Sequence, residues 1–479
     1  MKYRKLFRNE VAFAPAIEEL TFLEEEGISI ITDDGPQQIY FCFSMIIADN
    51  KGYNSMQGFI EGFTGNYFCR ICKLHRTEMH HHCLPVANDR LRTVDNYADD
   101  VALQDPTESG VSENCVWNDV PSYHCVQNAN CDVMHDIFEG VLKYDLCKIL
   151  YYLVHIRGYF SLETLLERID GFDYGPNEVC NKPPTVHITL ERLKNCNVNL
   201  SASEMLCLGK YLGEMVGDLV PEGNGVWRLF LILREILEIV TCPVFENGVD
   251  LYLETLVQEH HELYLYYFGN LKPKHHFMVH YGALLRRNGP LIHLSALMCE
   301  RNHRRGKLYA RVSNSRIDLG LSMALKFQLY LCERLMRRDN FDRDVRTTQK
   351  CIVPLETLSH FNAFVPTLPF NPDGDVVVVQ SVEVFGTYYK VGMILVVKVG
   401  DLLPTFGKIV HILLRQNAVI FVTQVQSCVS YRSHICAYDV TDSAEFLCIE
   451  QSNLLYFTPL WLRTAVSDGR NVVSVKHLL

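Results

Sequence analysis

No run of about 18 or more consecutive apolar residues occurs anywhere in the 479 residues, which excludes a membrane-spanning helix. The opening stretch, MKYRKLFRNEVAFAPAIEEL, has no apolar core of the kind a signal peptide needs, so secretion is not expected either. What remains is a nuclear or cytoplasmic protein. Excess positive charge is missing as well: 45 Lys and Arg stand against 56 Asp and Glu, a formal net charge of −11. A general nucleic-acid coat is thereby excluded, because binding along phosphates needs clustered cations. There is no internal repeat.

Cysteine, by contrast, is plentiful. Eighteen of them are spread through a long chain with 48% hydrophobic and 21% charged residues, the composition of a globular protein. In a reducing compartment most read as small buried side chains and not as disulfides. The length allows two or three domains.

Acidic and apolar residues alternate with a helical period in APAIEELTFLEEEG, with Ile17, Leu20 and Leu23 on one face and Gly27 as the stop. A strand, an Asp-Gly turn at Asp34 and Gly35, and a longer apolar strand from Ile39 to Ile47 follow, ending at Asp49. Residues 85–130 are polar and weakly periodic, which predicts a long excursion over the surface. From CDVMHDIFEGVL onward the pattern is helical to about residue 340. Prolines 354, 366, 369 and 372 mark a linker, and β-branched and aromatic runs after it predict a small all-β barrel or sandwich. The expected division is therefore 1–130, 131–340, a linker at 341–375, and 376–479.

Phe68–Cys83, FCRICKLHRTEMHHHC, holds three cysteines and four histidines. Cys69 and Cys72 have the C-x2-C spacing that lets two thiolates turn toward one ion. Two completions are open. His80, His81, His82 or Cys83 would close a local zinc knuckle; alternatively, His276 and His280, at i and i+4 in KPKHHFMVHY, share one helix face and would supply the second half from far away. A metallohydrolase using the cluster at 80–82 is a third possibility. Each part also has an ordinary structural explanation: buried cysteines, and a helix flecked with histidines.

Asp49 lies twenty residues before Cys69, and Glu300 twenty after His280. A metal joining the two segments would draw together two acids of the kind that hold Mg²⁺ for phosphoryl transfer, where paired ions sit about 3.5–4 Å apart. Alone, Asp49 reads as a turn residue and Glu300 as a solvated helix acid.

The ordered set of IIADNKGYNSMQGFIEGFTGNYFCRIC, CDVMHDIFEGVL, LKPKHHFMVHY and CERNHR resembles the catalytic region of the CACTA/EnSpm-type DDE transposases, over residues 10 to 340 or so. The resemblance implies an RNase H-like core interrupted by an all-α insertion, giving an α/β protein with a helical insert and a β-rich end. It implies that Asp49 is the second catalytic acid and Glu300 the third, and that Cys69, Cys72, His276 and His280 are structural Zn²⁺ ligands. Asp132 and His135 match the family's D-x2-H motif near the reaction centre. For Asp132 the ordinary alternative is a helix cap, and for His135 a satisfied helix histidine. The family's first catalytic Asp and its strand have no counterpart here, since Asp33 and Asp34 fall in a turn. DNA strand transfer by this chain alone is therefore not expected, Mg²⁺ would serve any catalysis that survives, and a zinc-stabilised, non-enzymatic binding or scaffold protein is the alternative. DNA is the implied ancestral partner, held only weakly by this chain, with a homo-oligomer possible. The basic runs at 300–311 and 333–346 are the candidate DNA contacts.

Overall fold

The computed structural model describes residues 2–313, 317–337, 345–400, 403–415 and 418–479, without the side chains of 2–5, Met298, Arg301, Arg304 and Arg305. Among these residues it is a mixed α/β protein with seventeen α-helical segments and a mostly antiparallel C-terminal sheet. The chain forms two compact units. The first holds the chain up to Leu150 with Glu191–Met205 and Gly225–Met298; the second holds Tyr151–Leu190, Leu206–Asn224 and Cys299–Leu479. The helical stretch 131–340 is thus shared between them.

In the first unit the predicted N-terminal helix lies within the helical segment Lys2–Glu25, which is broken at Arg8 by a backbone at φ +63° and ψ 170°. It stops where expected: Gly27 has φ +68°, and a Cβ there would stand 2.3 Å from the Ile39 carbonyl oxygen. Strands Ile28–Thr32 and Gly35–Ile39 pair antiparallel about Asp33 and Asp34, a two-residue turn. The longer strand expected from Ile39 to Ile47 is not there, because pairing ends at Ile39. A strand needs a neighbouring strand, and beyond Ile39 the backbone is held by Leu23 O, which accepts from Phe41 N–H at 3.1 Å, and by side chains. Ser122 Oγ accepts from Phe43 N–H and donates to Phe43 O, Asn128 donates to Ser44 O and Asn130 to Ile46 O.

The polar stretch 85–130 also departs from expectation. Far from skirting the surface, it carries the helix Val94–Leu103 and buries Tyr97, Trp117, Val120, Tyr123 and Cys125 in one core with Ile46, Tyr53 and Phe59. The apolar face of the first helix, with Phe13, Ile17 and Leu20, packs against it. Aromatic anchors on irregular backbone leave no period to read.

The helix Gly225–Val240 buries apolar side chains on nearly every side, as its run WRLFLILREILEIV dictates, and its one buried cation, Arg234, is held by Glu238 one turn on at 2.7 Å. Beside it lie the helices Val249–Phe268, Pro273–Met278 and Tyr281–Asn288.

In the second unit, Thr405–Arg415, Ala418–Arg432 and Ala437–Glu450 form an antiparallel meander at the centre of an eight-stranded sheet. The described strands run as an open path and form no closed barrel. The expected linker contributes to it: Cys351–Pro354 pairs with Asp375–Val379. Arg463 is buried between Tyr211 and Phe172 and paired with Glu214 at 3.2 Å.

Candidate metal centre

Cys69, Cys72, His276 and His280 converge in the first unit, all four buried, with their ligand atoms within 4.8 Å of one another. Cys72 Sγ lies 3.3 Å from His276 Nε2, Cys69 Sγ lies 3.5 Å from His280 Nε2, and the two Nε2 atoms are 3.4 Å apart. A tetrahedron with Zn–S of about 2.3 Å and Zn–N of about 2.0–2.1 Å has S···N edges of about 3.5 Å and an N···N edge of about 3.3 Å. The side chains are therefore already spaced as ligands of one ion. Two sulfurs and two imidazoles are also the donor set that zinc prefers, and four protein ligands leave no open position, the mark of a structural site. The metallohydrolase possibility concerned residues 80–82, none of which belongs to this group.

Without a cation the four groups are in electrostatic conflict. Burial works against ionising either thiol; the hydrogen bond from Cys72 and the neighbouring His280 and His276 nevertheless draw Cys69 well below the usual thiol range. Burial, with the anionic Cys69 alongside, drives Cys72 well above it. A divalent ion would let both be thiolates.

Each half of the cluster is set by its own scaffold. On the cysteine side, Ile71 N–H points at Cys69 Sγ at 3.4 Å, and Cys72 makes an isolated bridge with Leu91. Between the cysteines Arg70 is fully buried. Its Nε donates to Asn130 O at 2.7 Å and its Nη1 to the side-chain oxygens of Asn50 and Asn54 at 2.9 and 3.3 Å. Its guanidinium lies over the rings of Tyr53 and Phe277. Asn50 in turn donates to Asp136 at 2.6 Å, and Tyr281 donates to the other oxygen of that carboxylate at 3.3 Å. Burial raises the pKa of Asp136 to about 6 despite Arg70 and Asn50.

On the histidine side, the HHHC segment contributes nothing to the metal-ligand group found among the described residues. His80 pairs with Leu271 through Leu271 N–H to His80 O at 3.0 Å and His80 Nδ1 to Leu271 O at 2.9 Å, fastening the loop before the helix Pro273–Met278. His82 is half-buried, and burial lowers its pKa.

Asp132 and His135 meet directly. The Asp132 Oδ2 atom is hydrogen-bonded to His135 Nδ1, while Oδ1 accepts from Ala296 N–H at 2.9 Å, Met134 N–H at 3.2 Å and Ser295 Oγ–H at 3.3 Å. Asp132 is therefore a helix-start acid and, at the same time, the clasp for residues 295–296. The hydrogen bond to Asp132 holds His135 above the ordinary imidazole range, with smaller contributions from Glu139 and Asp49. His135 lies on a π-helical stretch, Met134–Val141, and Lys274 Nζ caps its carbonyl at 2.6 Å.

Asp49 is exposed and caps the helix Asn50–Met56, its Oδ1 accepting from Gly52 N–H at 2.5 Å. Glu300 belongs to the second unit, exposed on the first turn of the helix Leu297–Val312 and 3.5 Å from His303. The structure thus gathers seven of the eight candidate residues into one unit and leaves Glu300 in the other. Of the two basic runs, residues 338–344 and the side chains of Arg301, Arg304 and Arg305 lie outside the described residues.

No protein-family model matches the chain, and no curated protein matches it. Arg70, Asp136 and the buried Asp145 went unread in the sequence, and His80 was read only as a possible ligand. The only signal for Arg70 and Asp136 was position: a cation inside a C-x2-C turn and an acid directly after the D-x2-H pair.

Proposed function

We propose that the chain is a transposase-derived protein: a zinc-stapled, RNase H-like, DDE-type strand-transfer core that is catalytically impaired. The observation that carries this reading is the joining of a C-x2-C turn to an H-x3-H segment some two hundred residues downstream in one buried tetrahedral group, with the D-x2-H pair in the same unit. Those are three of the motifs that carry the resemblance, and their meeting in one unit supports the reading. Zinc would be held by Cys69, Cys72, His276 and His280 and would supply cohesion, not chemistry. Asp49 and Glu300 are the acids that would bind Mg²⁺, DNA is the partner, and the nucleus is the place of action; the cytoplasm and a homo-oligomer stay compatible with it.

A second reading, a zinc-stabilised scaffold with no catalysis, is favoured by the engagement of Asp49 as a helix cap. An assay of Mg²⁺- or Mn²⁺-dependent cleavage of duplex DNA separates the two, run on this chain and on one extended upstream by an Asp-bearing strand. Cleavage by the extended chain that Asp49→Ala and Glu300→Ala each abolish supports the transposase reading. Absence of cleavage by both, with zinc retained, supports the scaffold.

A further inference from the structure

Beside the metal cluster lies a second set of imidazoles. Asp145 on the helix Leu142–Tyr151, His260 and His261 on Val249–Phe268, and His275 on Pro273–Met278 are all completely buried. Asp145 Oδ2 is 2.7 Å from His260 Nε2, and Oδ1 is 3.1 Å from His275 Nε2. His260 Nδ1 faces His261 Nδ1 at 3.0 Å, His261 Nε2 is 2.9 Å from the His275 carbonyl oxygen, and Lys272 N–H donates to His275 Nδ1 at 3.0 Å.

These partners fix the protons. Since Lys272 N–H donates to it, His275 Nδ1 is bare, and the His275 proton sits on Nε2 and is given to Asp145. His261 Nε2 faces a carbonyl and must donate. His260 Nε2 faces a carboxylate that His275 and His260 hold ionised against burial, so it donates too. His260 Nδ1 and His261 Nδ1 face each other at 3.0 Å, which closes the network. Such a satisfied buried network specifies one arrangement of the helices that contribute to it. Tyr264, whose ring is 4.5 Å from His275, and Tyr144 enclose it.

The network's output is the helix Pro273–Met278. At six residues it is far below the roughly 12–15 at which an isolated helix holds itself, so its place is decided by what grips it. His275 is gripped three times, at both ring nitrogens and at its carbonyl, and the next residue is His276. We propose that Asp145 is a positioning residue for the metal centre, aiming His276 through His275. This rests on the reading of the four-residue cluster as a metal site.

The test is metal affinity of the full chain by chelator competition, with Zn²⁺ and with Co²⁺, whose spectrum reports ligand geometry. Asp145→Asn keeps the shape but replaces one acceptor by an amide N–H. It is expected to bind one ion at saturation, about 10- to 100-fold more weakly than wild type, with an altered cobalt spectrum. His275→Ala, which severs the link and spares the Asp145–His260 pair, should do the same and serves if Asp145→Asn does not fold. Leu146→Ala, a buried apolar truncation on the same helix, should lower stability without changing affinity. Affinity of both linked variants within about twofold of wild type, or an equal loss in Leu146→Ala, overturns the positioning role. Absence of metal binding by the wild type overturns the metal centre itself and the proposal with it.

Discussion

Cys72 Sγ stands 3.3 Å from His276 Nε2, although the two residues are 204 positions apart in the chain. A pair so placed, with Cys69 and His280 completing the group, ties both ends of a long excursion. Binding energy at such a site is folding energy, roughly 10–16 kcal/mol for structural zinc in small peptides. Cys72→Ser is accordingly expected to abolish stoichiometric zinc and to lower the unfolding midpoint to that of chelator-treated wild type. Calorimetry of the two side by side checks this; a variant that melts with the untreated protein would contradict it.

Arg70 bears on the same turn from inside. It is fully buried and bonds to Asn130, Asn50 and Asn54 while lying over two aromatic rings. Arg70→Met strips one partner each from Asn50, Asn54 and Asn130 and takes away a cation that favours ionised Asp136, a loss of about 3–5 kcal/mol by analogy with broken buried pairs. Arg70→Lys is expected to be poorly tolerated too, because an ammonium cannot reproduce the planar fork. Urea unfolding of the three proteins measures both.

Asp136 should make stability depend on pH in an unusual sense. Its pKa is raised by burial from 3.8 to about 6. Between those values the unfolded chain ionises while the folded one stays protonated, so this residue's contribution falls as pH rises and levels off above about 6. At about 1.4 kcal/mol per unit the total is roughly 3 kcal/mol. Asp136→Asn, which keeps an oxygen for Asn50, is expected to flatten that part of the curve and to be close to neutral at acid pH. Denaturant titrations at pH 4 to 7 read the difference.

The Asp132–His135 contact gives a slope of the same sign at higher pH. A histidine whose folded pKa exceeds its unfolded value near 6.5 stabilises the fold below that value and loses the contribution as pH rises through the folded pKa. Asp132→Asn should lower the His135 midpoint in an NMR titration. An unchanged His135 midpoint would mean that the hydrogen bond is not made in solution.

Parts of this were legible in the sequence for definite reasons. Metal-ligand spacing is a local property, so C-x2-C and H-x3-H were readable apart, and the Asp33–Gly35 turn and the β-branched C-terminal runs carried their own signals. Residues that act through long-range contacts were not readable. Trp117 and Tyr123 sit in a polar stretch and are buried by tertiary packing alone, while Tyr40–Ala48 has the composition of a strand but pairs with no other strand. Asp145 and its three histidines are scattered over 131 residues of helical sequence, each with the look of an ordinary polar position.

The most direct measurement of the central claim is the metal content of the purified chain with X-ray absorption at the zinc edge. One zinc per chain with two sulfur and two nitrogen ligands at about 2.3 and 2.0–2.1 Å is the result the account predicts. A chain purified without chelators that contains no zinc, or one whose zinc survives Cys72→Ser with the same ligand shell, would contradict it.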